Sequence, residues 1–101
     1  MVDLDIFHAY DELYGHIGGD TCLQRVCEAM ARSLRRPSDL LGRYRGEEFI
    51  VVSNTDAVGA QIVAERIRAS VTALAIPHAS SSCSNVVTIT AGFASVRVIW
   101  T

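Results

Sequence analysis

The sequence predicts an α+β domain: a four-stranded sheet of order 4-1-3-2 with both helical regions on one face. Three observations carry that prediction. Strand-like and helical runs alternate as β-α-β-β-α-β over the 101 residues. A bend at Arg45-Gly46, between two apolar runs, is a hairpin signal. Right-handed crossovers then place strand 1 between strands 3 and 4.

Each element has its own local reason. "MVDLDIF" alternates Val2, Leu4 and Ile6 and reads as a strand. "HAYDELYGH" reads as a short helix closed by Gly15 in the C-cap position, and "GGD" restarts the chain with Asp20 as the N-cap of a longer helix. Along that helix Leu23, Val26, Cys27, Met30 and Leu34 recur at helical spacing, with Arg25, Glu28 and Arg32 on the other side, and Pro37 stops it. "DLLGRY" and "EEFIVVS" are the hairpin strands. "NTD" caps a second helix whose apolar stripe is Val58, Ile62, Ile67 and Val71. Pro77 and "HASSSCSN" form a polar loop, and "VVTITAGFA" is the closing strand.

Composition narrows the class. Half of the residues are hydrophobic, enough for one domain with a core of its own. With 20 % charged residues and a net charge of −2, the chain lacks the basic excess of an electrostatic nucleic-acid binder. No apolar run reaches the length of a membrane span, and no basic-then-apolar leader opens the sequence. Cys22, Cys27 and Cys83 form no CxxC pair and are odd in number, which argues against a zinc site and a disulfide framework and fits small, semi-buried side chains in a reducing cytosol. His16 and His78 have no partners at ligand spacing and read as core or surface histidines.

The predicted topology brings the acids of "VDLD" on strand 1 beside Glu47 and Glu48 of the hairpin. Carboxylates converging from adjacent strands suit a hard cation whose shell phosphates complete. On the residues alone, solvated strand ends are the competing explanation.

In order and spacing, "DLDIFHAYDELYGHIGGDTCL", "RPSDLLGRYRGEEFIVV", "AERIRASV" and "VTITAGFA" resemble the GGDEF family of diguanylate cyclases. The resemblance implies a palm-like, ferredoxin-like fold shared with nucleotidyl cyclases, and an antiparallel homodimer that joins two GTP molecules into cyclic di-GMP. By that resemblance Asp3, the main-chain carbonyl of Leu4 and Glu47 are metal ligands for two Mg2+ ions. Glu47 and Glu48 are the catalytic acids, with Glu48 a support rather than a ligand. Asp11, Asp20 and Gly46 bind GTP: Asp20 accepts from the guanine edge, compatibly with capping a helix, and Gly46 lets the backbone approach the nucleotide. "RPSD" matches the family's R-x-x-D inhibitory site for cyclic di-GMP, with Arg36 and Asp39 as its core and Arg66 as a secondary arginine. An arginine fork suits guanine O6 and N7, and an acid suits the donor edge.

Four features depart from the family pattern. Arg45 replaces the first glycine of the motif, His8 a usual lysine, and Asp11 a usual asparagine. "VRVIWT" does not resemble the family's last helix and strand, so residues 1–101 are expected to form a GGDEF domain without them and without the helix that usually precedes strand 1. The resemblance therefore implies a cytoplasmic diguanylate cyclase domain that is weak or inactive as it stands, with an upstream sensory or receiver domain in a longer parent. The competing reading is a catalytically inactive cyclic di-GMP receptor or dimerisation domain.

Overall fold

The computed structural model describes residues 1–79, 81 and 84–92. Its elements are β1 (Val2–Leu4), α1 (Phe7–Ser33), β2 (Leu40–Arg45), β3 (Glu48–Val52), α2 (Ala57–Ala73) and β4 (Ile89–Ala91). The strands lie in the order β2-β3-β1-β4, which is 4-1-3-2 read from the opposite edge, and every neighbouring pair is antiparallel. Cys83 and the segment "VRVIWT" fall outside the described residues.

Alternation decides which face of the sheet meets the helices. Val2, Leu4, Phe49 and Ile89 are buried and join Val26 and Met30 of α1 and Val63, Ile67 and Val71 of α2 in one core. Asp3 alternates to the open face, directly opposite Glu48 in the β1/β3 ladder. Burial pushes the Cys22 thiol above its ordinary range, which makes it a poor nucleophile.

Six local expectations are corrected. Strand β1 ends at Leu4, because Ile6 turns into the left-handed region (φ 53°, ψ 37°) and opens α1. Asp20 is not an N-cap: α1 runs through it, broken only at Gly15. Gly18 and Gly19 read as a loop but are helical, and their missing Cβ atoms are what matters. A Cβ on Gly19 would run into the Asp11 carboxylate, and one on Gly18 would stand 3.0 Å from the Tyr14 Cβ. Pro37 does not stop the helix either. It ends at Ser33, with Leu34 already extended and its N–H bonded to Ala31 O at 3.2 Å. On α2 the buried stripe is Val63, Ile67 and Val71, while Val58 and Ile62 are exposed. The "NTD" cap is present, with Asp56 accepting from the Gly59 N–H at 2.8 Å. Finally, the segment after Pro77 is not simply a polar loop, since His78 is fully buried.

Gly15 has φ 81° and ψ 172°, a region open essentially to glycine alone. Nothing lies within 4 Å of where its Cβ would be, so the constraint is purely conformational. Gly15→Ala is therefore expected to cost about 1–3 kcal/mol, read as a lower urea midpoint at unchanged m-value.

Candidate nucleotide and metal site

The acids meet where the two central strands end together. The hairpin turns at Gly46-Glu47, with Gly46 at φ +48° and the Arg43 Nε donating to its carbonyl at 2.8 Å. A register shift between Arg43 and Arg45 precedes the turn. Leu4 N donates to Glu47 O at 3.3 Å, which ties the motif to β1. Asp3 consequently sits among acids. Its carboxyl is held above the usual carboxylate range, first by partial desolvation and then by the charges of Glu47, Glu48 and Asp5. Among the described residues, none of Asp3, Glu47 and Glu48 has a cationic partner.

Asp5, the second acid of "DLD", belongs to the predicted acid group but has no individual role in the sequence reading. Its carboxylate accepts from Thr88 Oγ1 at 2.8 Å and Thr90 Oγ1 at 2.5 Å, and its N–H bonds to Thr88 O at 2.9 Å. The readable signal was "TIT" in the strand pairing with "DLD". Among the described residues, no three His, Cys, Asp or Glu side chains are grouped as a complete metal site. A cation held at Asp3 and Glu47 would need main-chain and ligand oxygens to finish its shell.

Beyond β1 the α1 kink folds residues 7–14 against the start of the longer helical segment. Asp11 lies against Gly19 and pairs with His16 at 3.2 Å. Asp20 is exposed one residue further on. The fold thus brings Asp11 to the Gly19-Asp20 step. His8, expected only as a substitution for lysine, pairs with Glu12 at 3.3 Å on the solvent side. Arg45 places its guanidinium 5.2 Å from the centre of the Tyr44 ring.

"RPSD" forms a tight turn, with Asp39 N bonded to Arg36 O at 3.0 Å and Pro37 at its second position. The side chains of Arg36 and Asp39 both reach the loop after β3. Arg36 donates to Asn54 O at 2.8 Å, and Asp39 accepts from Ser53 Oγ at 2.8 Å. Arg66 lines a groove of about 380 Å³ between α1 and α2 together with Arg32 and Arg35, the residue before Arg36.

A four-stranded antiparallel sheet backed by two helices, with acids from its two central strands meeting at one end, defines a palm-type α+β domain. The chain belongs to the GGDEF family: the family described as "Diguanylate cyclase, GGDEF domain" matches residues 1–98. It is 42 % identical over 96 residues to Diguanylate cyclase A of Treponema denticola, covering 94 % of this chain and 25 % of that protein. The response regulator PleD of Caulobacter vibrioides is 38 % identical over 69 residues, covering 67 % of this chain and 15 % of PleD. Among solved structures, the diguanylate cyclase SiaD of Pseudomonas aeruginosa, in complex with its activator SiaC, superposes with a TM-score of 0.74 at 36 % identity. That match covers 88 % of this chain and 34 % of the solved one. The chain thus spans a quarter or less of the first two curated relatives. No helix among the described residues is long and apolar enough to cross a membrane.

Proposed function

We propose that this domain handles GTP for cyclic di-GMP synthesis, two GTP molecules being joined between two copies of the chain. The observation that carries the reading is the charge at Asp3: three further acids crowd its carboxyl, and no cation among the described residues neutralises them. Such a donor set of hard oxygens fits Mg2+. Asp3, the Leu4 carbonyl and Glu47 would hold it, and the bound metal would brace the triphosphate and acidify the ribose 3′-hydroxyl. Glu48, opposite Asp3 in the ladder, supports the pair. Gly46 leaves the backbone open to the phosphates, and Asp11 and Asp20 accept from the guanine donor edge. The parent protein is then a cytoplasmic signalling protein with a separate input domain, in keeping with a response regulator among the relatives. Incubation with GTP and Mg2+, followed by chromatography for cyclic di-GMP, tests the reading. No product, together with no Mg2+-dependent GTP binding, would remove it.

The reading as an inactive cyclic di-GMP receptor draws on Arg45 at the motif's first position, on Asp11, which lacks a donor, and on the preset "RPSD" turn. Low turnover by this chain, with cyclic di-GMP still bound at Arg36 and Asp39, is the expected outcome. A bidentate arginine–guanine contact is worth about 1–3 kcal/mol of discrimination. Arg36→Ala should therefore weaken cyclic di-GMP binding by roughly five- to a hundredfold in calorimetry. Equal affinities for both proteins would eliminate this site.

A further inference from the structure

We infer that His78 is a positioning residue for the acids of β1, acting through the main chain of Ile6. The inference rests on the metal-site reading above. Ile6 follows "DLD" directly and reverses the chain from strand to helix in a left-handed conformation, with φ 53° and ψ 37°. β-Branched residues seldom adopt that conformation, so the surroundings must hold it. The hold is visible. The Ile6 carbonyl accepts from Tyr10 N at 3.3 Å, and His78 Nε2 lies 2.9 Å from it across 72 positions of chain.

His78 is itself fixed from several sides. Its side chain is 1 % exposed, its ring meets Tyr10 edge-on at 5.1 Å, its N–H bonds to Asn85 O at 3.0 Å, and Pro77 bridges to Val86. The same return segment holds Asp5 through Thr88 and Thr90. Two consecutive residues immediately after Asp3-Leu4 are therefore clamped by one stretch of chain. A carbonyl can only accept, so the geometry requires the Nε2–H form of the ring. The other nitrogen, Nδ1, is buried with no hydrogen-bond partner among the described residues. A histidine kept for packing alone would do worse than leucine there, because an unpaired buried nitrogen is unfavourable. The bond to Ile6 is what the imidazole provides and an apolar side chain cannot.

The test uses the whole chain. Long-range 1H–15N correlation on 15N-histidine protein should show His78 as the Nε2–H tautomer, and an Nδ1–H tautomer overturns the inference. Mn2+ titration followed by electron paramagnetic resonance should then show His78→Met, which fills the space without a donor, binding the ion about 10- to 100-fold more weakly, as when a residue that orients a ligand is removed. His78→Gln, which keeps a donor near the Nε2 position, should recover most of that loss. Wild-type affinity in folded His78→Met, or equal losses in both variants, overturns the inference. If the wild-type chain binds no Mn2+, the metal-site reading fails separately. The amide shifts of Asp3 to Ile6 then decide the positioning: displacement in His78→Met that His78→Gln reverses supports it, and no displacement refutes it. Should His78→Met fail to fold, the tautomer and the His78→Gln shifts decide in the same way.

Discussion

Asp3→Asn is expected to make the metal-free chain more stable while abolishing its response to Mg2+ and lowering any cyclic di-GMP synthesis by about 10²–10³-fold, the scale for removing one preorganised stabiliser. The two halves have one cause. In the fold, partial desolvation and then Glu47, Glu48 and Asp5 hold the Asp3 carboxyl above its ordinary 3.8. The folded state therefore keeps this proton more tightly than the unfolded chain does. Its contribution favours the fold at low pH and is lost as pH rises from 3.8 through the raised value. At neutral pH the ionised Asp3 faces Glu48 across the ladder as a like-charged pair. Relief of a directly opposed cross-strand repulsion is worth about 0.2–1 kcal/mol. At roughly 4–8 °C per kcal/mol this is a rise of a few degrees in Tm, which shrinks on acidification. Thermal melts of both proteins at neutral and acid pH, with and without Mg2+, check this. A lower Tm for metal-free Asp3→Asn, or a Tm rise with Mg2+ as large as in the wild type, would contradict it.

Phe49→Ala is expected to cost about 3–5 kcal/mol, a large share of the roughly 5–15 kcal/mol that holds a domain together. Phe49 closes the "RGEEF" motif and is 2 % exposed. It pairs across the ladder with Val2 and belongs to the core that both helices cover. The aromatic ring is thus the floor on which Glu48 and Asp3 stand one residue along. Phe49→Leu, which leaves a smaller void, should lose distinctly less. Chemical denaturation of the two variants separates these expectations, and equal, small losses would show that the motif's last letter is not an anchor.

Much of this was legible because strand alternation and a hairpin constrain each other. Once Val2 and Leu4 face inward, Asp3 must face out, and the hairpin, which turns at Gly46-Glu47 one residue beyond the expected Arg45-Gly46 bend, sets Glu48 opposite it. The helices were harder. On α2, Val58 and Ile62 are spaced as regularly as Val63, Ile67 and Val71, and only the neighbouring helix and sheet decide which row is covered. Gly18 and Gly19 carry the letters of a loop, yet the close approach of Asp11 and Tyr14 is what excludes side chains there. Long-range polar contacts left no periodic trace. His78 sits in a run of small polar letters, and nothing in that run says that its ring reaches Ile6.

The three-residue strand β1 has a consequence for how the molecule comes into being. Three residues near the start of the chain form an inner strand whose neighbours are residues 48–49 on one side and 89–91 on the other, and the amino group of Met1 bonds to Gly92 O at 2.9 Å. Pairings of such large sequence separation form late, after loop-closure entropy has been overcome. On the ribosome Asp3 emerges well before residues 48–49 and 89–91, and β1 gains both its neighbours only after the last of these has been synthesised. A polypeptide made only as far as α1 therefore cannot assemble the acid cluster, and β1 stays unpaired, exposed to the edge-to-edge association that threatens slow-folding sheets.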